Sequence, residues 1–320
     1  MSAGLWNDSL AEVRNASDNK LLQGVSRSFY LTLRLLPTPM RGAASLAYLL
    51  ARTSDTLADS TAAPAAARRD CLARLEQALG GAGPPLRWPL AILNAISDPR
   101  ERRLLECSGC LFSQLDGLPP EEAAVVREVV TIIIGGQRLD LERFAGASGA
   151  QPVVLADAAA LEDYTWRVAG CVGEFWTKLG LLTLGERFAS APANLLLEKG
   201  LAYGKGLQLV NILRDLPADL AVGRCYLPVA DPRDITMLLE SHAQWLERAW
   251  DLVAAGFDYA EMLRARRLRA ASVLPAMLAR ETLQRLRGAT WEALQQHIKV
   301  PRKRVYLALA RAVVGRWPAG

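Results

Sequence analysis

Two aspartate pairs with one spacing, both set in otherwise apolar helical sequence, constrain this chain more than any other feature. They are Asp55-Thr56-Leu57-Ala58-Asp59 and Asp215-Leu216-Pro217-Ala218-Asp219. On a helix, positions i and i+4 share a face, so each pair places two carboxylates side by side, roughly 6 Å apart along the axis. Like charges that close repel and raise each other's pKa. Two such pairs in one mostly apolar protein call for a cation between them. Oxygen ligands with no His or Cys nearby favour Mg²⁺, which keeps waters and also binds substrate phosphates.

The remaining sequence reads as helix. Apolar residues recur at spacings of 3 and 4 almost throughout, and no sustained alternation of β-branched residues suggests a strand. Clusters of Gly and Pro mark the breaks. The pattern predicts helices over 9–22, 40–57, 65–79, 89–97, 100–116, 121–144, 154–184, 193–216, 233–262, 264–287 and 302–314. No repeat of solenoid length and no long linker divides the chain, so the expectation is one all-α domain over 1–320 around a central cavity. Hydrophobic residues make up 51% of the 320, enough for a large core. Charges interrupt every apolar run well before ~18 residues, so no transmembrane helix is expected. Residues Met1 to Arg14 contain acidic residues and no apolar stretch, unlike a signal peptide.

Cys107 and Cys110 form a lone C-x-x-C, and with five cysteines in all the reading is reduced thiols of a cytoplasmic protein, not a zinc site. The net charge of +5 comes mainly from Arg scattered over most helix faces. That distribution suits phosphorylated substrates or anionic lipid headgroups better than nucleic acid. Only His242 and His297 are present, neither close in sequence to the aspartates, so Ser/His/Asp or Cys/His catalysis is not expected.

Polar residues line up with each pair. Tyr48, Arg52, Asp55 and Asp59 fall at i, i+4, i+7 and i+11; Gln208, Asn211, Asp215 and Asp219 fall at i, i+3, i+7 and i+11, flanked by Arg214 and Arg224. Taken alone, the first line fits a solvent-facing stripe with an Arg–Asp pair as well as it fits an inward site. Facing helices with inward carboxylates are how bundles build metal sites in their cores, and the second line supports that reading. Pro217 lacks an N–H and disfavours helical geometry at Leu216, so the helix is expected to kink or end there. Asp215 is accordingly the firmer metal ligand and Asp219 the looser one. Gly170 with Gly173, and Gly135 with Gly136, each cost a helix about 1 kcal/mol relative to Ala. They mark a close approach to the backbone, by a neighbouring helix or a long apolar ligand, with packing favoured. Gln137 and Asp140 add an inward carboxamide and carboxylate.

Four motifs then agree with a known pattern. Ser26-Arg27-Ser28-Phe29, Tyr48-x-x-x-Arg52-x-x-Asp55-x-x-x-Asp59, Tyr164-x-x-x-Val168-Ala169-Gly170-x-Val172-Gly173 and Gln208-x-x-Asn211-x-x-Arg214-Asp215-x-x-x-Asp219 occur in order over about 20–230. Together they resemble the motifs of the squalene/phytoene synthase family. The resemblance implies a terpenoid-synthase helical bundle around a deep apolar cavity, in which two prenyl diphosphates are joined head to head. It implies Mg²⁺ held by Asp55, Asp59, Asp215 and Asp219. Ser26, Arg27, Arg52 and Arg214 would grip the diphosphate, with Gln208 and Asn211 beside it. Phe29, Tyr48 and Tyr164 would line a dry pocket and stabilise the carbocation with their rings. Tyr164 matches the tyrosine of proton transfer and cation control, so Tyr164, Tyr48 and Arg52 are the expected catalytic residues.

Within that family, the first aspartate motif is most similar to the squalene synthase version. Residues His297-Ile298-Lys299-Val300-Pro301-Arg302-Lys303-Arg304 resemble the basic segment that squalene synthases use near NADPH, which implies Lys299, Arg302 and Lys303 as its ligands. No Gly-x-Gly-x-x-Gly unit of the dinucleotide type exists. Pro217 and Ala218 stand where a squalene synthase more often has a further acidic residue, and the C-terminal membrane anchor of the eukaryotic members is not expected here. The expectation is a bacterial, Mg²⁺- and NADPH-dependent squalene synthase acting on two farnesyl diphosphates. Its expected place is the cytoplasm, including peripheral attachment to the inner face of the membrane. The alternatives are a member that stops at presqualene diphosphate, or makes hydroxysqualene, dehydrosqualene or phytoene.

Overall fold

The computed structural model describes residues 21–25, 29–81 and 86–317. Residues 21–25 are helical, and most of the helix expected over 9–22 lies outside the described residues. Fourteen further α-helices follow: α1 (Phe29–Leu35), α2 (Thr38–Ala58), α3 (Ala65–Leu79), α4 (Leu90–Ala95), α5 (Pro99–Glu106), α6 (Ser108–Asp116), α7 (Pro120–Arg143), α8 (Ala158–Thr165), α9 (Cys171–Leu184), α10 (Ala193–Ala221), α11 (Ile235–Met262), α12 (Arg266–Leu286), α13 (Trp291–Gln295) and α14 (Arg302–Val314). A π-helical turn, Trp166–Gly170, joins α8 to α9. The only strands among the described residues are β1 (Val153–Val154) and β2 (Arg224–Cys225), paired in parallel. The fold is the all-helical one expected.

Proline and aspartate set many of the helix starts. Pro37, Pro64, Pro89, Pro119, Pro192 and Pro301 each stand at an N-cap. There a fixed φ is already helix-compatible and the missing N–H costs nothing. Asp98, Asp157, Asp234 and Thr290 instead cap with a side-chain oxygen that accepts a first-turn amide.

Three expected helices come out differently. The span 100–116 is two helices broken at Cys107. There the Leu105 carbonyl accepts from the Ser108 hydroxyl (2.6 Å) and the Trp88 indole (2.9 Å), side chains that compete with the helical ladder. The span 154–184 starts late, because 153–154 pair with β2, and it carries the π turn. The helix over 193–216 does not stop before Pro217 but runs through it to Ala221. Asp219 is therefore helical, on the same face as Asp215, and is not displaced onto a loose turn. Pro217 has no N–H for the carbonyl of Leu213, four residues back; His242 Nε2, on α11, lies 3.2 Å from that oxygen.

The buried side chains form two apolar clusters, one including Leu50, Leu57 and Ile134, the other Leu213, Leu216 and Phe257. Helix α10 belongs to both, through Leu196 in the first and Leu209 in the second. The first aspartate pair rides on a helix of the first cluster and the second pair on the part of α10 in the second. Helices approach most closely at glycines. A Cβ on Gly173 would collide with the Gly200 carbonyl, and one on Gly136 would lie 2.8 Å from Arg167 Cβ. Gly136 and Gly173 therefore serve helix packing. Among the described residues no helix is long and apolar enough to cross a membrane.

Candidate active site

The two aspartate pairs meet in one cavity of about 340 Å³. Helix α2 contributes Asp55 and Asp59; α10 contributes Gln208, Asn211, Asp215 and Asp219. Gln137 and Asp140 enter from α7, Tyr164 from α8, and Arg224 and Tyr226 from β2 and the residue after it. The strand explains the last two. Alternate residues of a strand point the same way, so Arg224 and Tyr226 face the cavity while Cys225 between them is fully buried in the core.

Crowded carboxylates with few cations make this an unusual charge environment. Burial, reinforced by Asp59, lifts the Asp55 carboxyl to about 7 against the pull of Arg52 and Gln137. Burial and Asp215 lift Asp219 to about 7. Burial lifts Asp140 to about 6, although Arg224 and Tyr226 favour its charged form. Asp59 remains water-accessible, yet the protein around it still raises its carboxyl above the usual range. The Gln137 amide donates to Asp55. Gln137 Oε1 and Asp140 Oδ1 are buried without a hydrogen-bond partner. An all-oxygen donor set with orphaned acceptors and carboxyls held partly protonated fits a hard divalent cation. Among the described residues no three Asp, Glu, His or Cys side chains form a ready-made metal cluster.

A line of hydroxyls runs across the cavity. The Tyr164 hydroxyl donates to Tyr226 (3.4 Å), whose hydroxyl donates to Asp140 (3.1 Å). Arg224 lies 3.6 Å from the same Asp140 oxygen. The Tyr164 and Tyr226 rings stack with centroids 4.7 Å apart, and burial holds both phenols neutral by raising their pKa values.

A second cavity of about 150 Å³ has an almost wholly apolar lining that includes Phe29, Val172, Trp176, Tyr203, Leu207 and Tyr259. The same two helical segments line both cavities in succession. On α10, Gly200, Tyr203, Gly204 and Leu207 face the apolar cavity, and Gln208, Asn211, Asp215 and Asp219 face the polar one. On the α8–α9 segment, Tyr164 and Val168 face the polar cavity, and Ala169, Val172 and Trp176 face the apolar one. The changeover on this segment falls inside the π turn, a helical irregularity frequent at functional sites.

The structure brings together Asp55, Asp59, Gln208, Asn211, Asp215, Asp219 and Tyr164, with Phe29 in the apolar cavity. It places the other expected residues elsewhere. Ser26 and Arg27 lie outside the described residues. Tyr48 stacks on Phe29 at 5.2 Å, donates to the Val25 carbonyl and lines neither cavity. Arg52 pairs with Glu101 on α5, with Asp55 at 3.9 Å, and does not line the cavity. Arg214 Nε holds Asp215 at 2.8 Å and is likewise not part of the lining. Lys299, Arg302 and Lys303 are exposed at or just before the start of α14 and line neither cavity. The cation in the lining is Arg224, which the sequence marked only as a flanking charge. Tyr226 had no sequence signal, since it sits in a Pro-rich connection.

Comparison with known proteins gives a family match. The model for "Squalene/phytoene synthase" matches residues 22–304. The presqualene diphosphate synthase of Rhodopseudomonas palustris is 31% identical over 221 residues, covering 64% of this chain and 60% of that protein. The bifunctional lycopene cyclase/phytoene synthase of Pyrenophora tritici-repentis is 27% identical over 211 residues, covering 65% of this chain and 33% of that protein. The matched region thus spans less than two thirds of either relative. Among solved structures, the complex of TcSQS with E5700 superposes with a TM-score of 0.76 at 21% identity, covering 93% of this chain and 85% of that one. This last likeness concerns the fold.

Proposed function

The chain belongs to the squalene/phytoene synthase family, and on that premise we propose that it condenses two farnesyl diphosphates head to head, forming presqualene diphosphate. One observation carries the reading: a carboxylate-lined cavity and an apolar cavity follow one another along the same helices. A prenyl diphosphate has that polarity, a multiply charged head and a hydrocarbon tail. The aspartates would hold Mg²⁺ through Asp55, Asp59, Asp215 and Asp219, with diphosphate oxygens completing the coordination. When bound, Mg²⁺ neutralises the diphosphate and makes it a better leaving group.

The chain's own residues supply the rest. Arg224 places a fixed positive charge in the head cavity, where it can hold diphosphate oxygens. Gln208 and Asn211 offer amides on the same wall. The apolar lining keeps water from the allylic cation, which water would convert to an alcohol. The rings of Phe29, Tyr203 and Tyr259 offer π faces to that cation. Tyr164 lines the head cavity, one helical turn before the changeover at Val168 and Ala169, neutral and hydrogen-bonded through Tyr226 to Asp140. That line can accept the proton lost when the cyclopropane ring closes and pass it toward the head cavity.

Onward reduction to squalene, with hydride from NADPH held at Lys299, Arg302 and Lys303, is the further step we propose. Those cations line neither cavity, and leaving out NADPH separates this step from condensation. The same helix exposes Tyr306, Leu307, Val313 and Val314 among its basic residues, which supports peripheral attachment to an anionic membrane. The test is product analysis after incubation with farnesyl diphosphate and Mg²⁺, with and without NADPH. Presqualene diphosphate without NADPH and squalene only with it is the expected result. Hydroxysqualene or dehydrosqualene in both would remove the reductive step and leave the condensation. Turnover of geranylgeranyl diphosphate alone would move the chain to phytoene formation.

A further inference from the structure

His242 is the one buried histidine, 4% exposed, and nothing in the proposed chemistry uses it. Its place is specific. An α-helix needs an amide at each position to satisfy the carbonyl four residues earlier. In α10 the amide missing at Pro217 is the one that would serve Leu213, midway between Asn211 and Asp215. A buried carbonyl left without a partner costs about 1–3 kcal/mol and loosens the helix around it. His242 Nε2 stands 3.2 Å from that oxygen. A carbonyl only accepts, so the imidazole must donate, and the proton sits on Nε2. Burial lowers the His242 pKa and keeps the ring neutral, with one N–H to give.

We propose that His242 is a positioning residue: it replaces the amide that Pro217 lacks and so holds Asn211, Asp215 and Asp219 on one helical face toward the diphosphate. A proline between two ligands of one helix would otherwise kink it and turn Asp219 away from Asp215. The imidazole comes from α11, which packs against α10, so the register of the second aspartate pair depends on a neighbouring helix. The first pair, on α2, has no proline and needs no such brace. The proposal rests on the reading of these aspartates as the ligands of a Mg²⁺–diphosphate head.

The test is a double-mutant cycle read by binding, with inorganic pyrophosphate and Mg²⁺ as the probe in calorimetry. His242→Phe keeps most of the ring volume and removes the donor. Pro217→Ala returns the backbone amide. We expect His242→Phe to weaken binding about tenfold, the scale found for residues that orient metal ligands. Pro217→Ala should bind within about twofold of the natural chain, and the double variant should recover to the same level. His242→Gln, which keeps an N–H, should recover part of the loss. Leu294→Ala, a cavity in the second apolar cluster, should lower the melting temperature and leave pyrophosphate affinity unchanged, separating positioning from general destabilisation. Unchanged binding in His242→Phe, or a double variant no better than His242→Phe, overturns the inference. If His242→Phe fails to fold and the double variant folds and binds, the bond is confirmed as the substitute. If neither folds, His242 serves packing alone and the inference falls. Absence of binding by the natural chain would instead sink the functional reading, and this inference with it.

Discussion

The two aspartate pairs share a spacing and differ in almost everything that supports them. On α2 the helix is uninterrupted, Asp55 takes a neutral amide from Gln137 on another helix, and Asp59 stays in reach of water. On α10 the pair straddles a proline, Asp215 is clasped by Arg214 next to it, and the turn is closed by His242 from α11. Each pair nonetheless contains one carboxyl lifted to about 7, Asp55 and Asp219, by burial and by its own partner. Equal spacing thus leaves one strongly lifted carboxyl in each pair, while the means of holding it differ: a cross-helix amide on one side, an adjacent cation and a backbone repair on the other.

The largest test of this comparison is to remove one carboxylate from each side. Asp55→Asn and Asp219→Asn should each lower turnover of farnesyl diphosphate by about a hundredfold or more, and by similar factors. A loss confined to one of them would break the symmetry. The cations come next. Arg224→Ala should weaken pyrophosphate binding about ten- to a hundredfold, the value of a charge-assisted hydrogen bond. Arg52→Ala should cost less, because its guanidinium is turned toward Glu101; a larger loss at Arg52 would mean that it swings into the cavity when substrate binds.

Smaller effects sharpen the difference between the two supports. Gln137→Leu removes a hydrogen bond that favours ionised Asp55, so the Asp55 carboxyl should rise further. Mg²⁺–pyrophosphate affinity should then drop about tenfold near neutral pH and recover toward pH ~8.5, a shift measurable by titration calorimetry. The smallest effect is on the stability of the protein without cation. Carboxyls whose folded pKa exceeds the unfolded value bind more protons when folded, so their contribution is fully present at low pH and is lost as pH rises. Melting temperature should therefore decline from about pH 4 through about pH 7 as Asp55, Asp140 and Asp219 ionise together, and Mg²⁺ with pyrophosphate should restore it. A melting temperature that rises across that window would contradict the strain described here.

Much of the site was legible because its residues share helices. Asp55 with Asp59, and Gln208, Asn211, Asp215 and Asp219, lie on single faces that helical periodicity alone reveals. Asp140 and Gln137 were visible as inward polar groups without a stated role. Arg224 and Tyr226 escaped because a two-residue strand aims them, and its partner β1 lies some seventy residues earlier. Arg52 and Arg214 carried the right charge in the right motifs, but their partners, Glu101 and Asp215, turn them out of the lining. The break at Cys107 was hidden too, since it depends on Trp88 reaching the Leu105 carbonyl.

What sequence alone determined is the helical class and the spacing of the carboxylates, because both follow from 3.6 residues per turn and from where apolar side chains fall. What only the tertiary structure decided is how the helices meet: which cation enters the cavity, that Asp140 joins it, and that α10 continues through Pro217. Periodicity assigns a side chain to a face of its own helix. The occupant of the space opposite, and the donor that satisfies a carbonyl left without its amide, come from distant segments and exist only after packing.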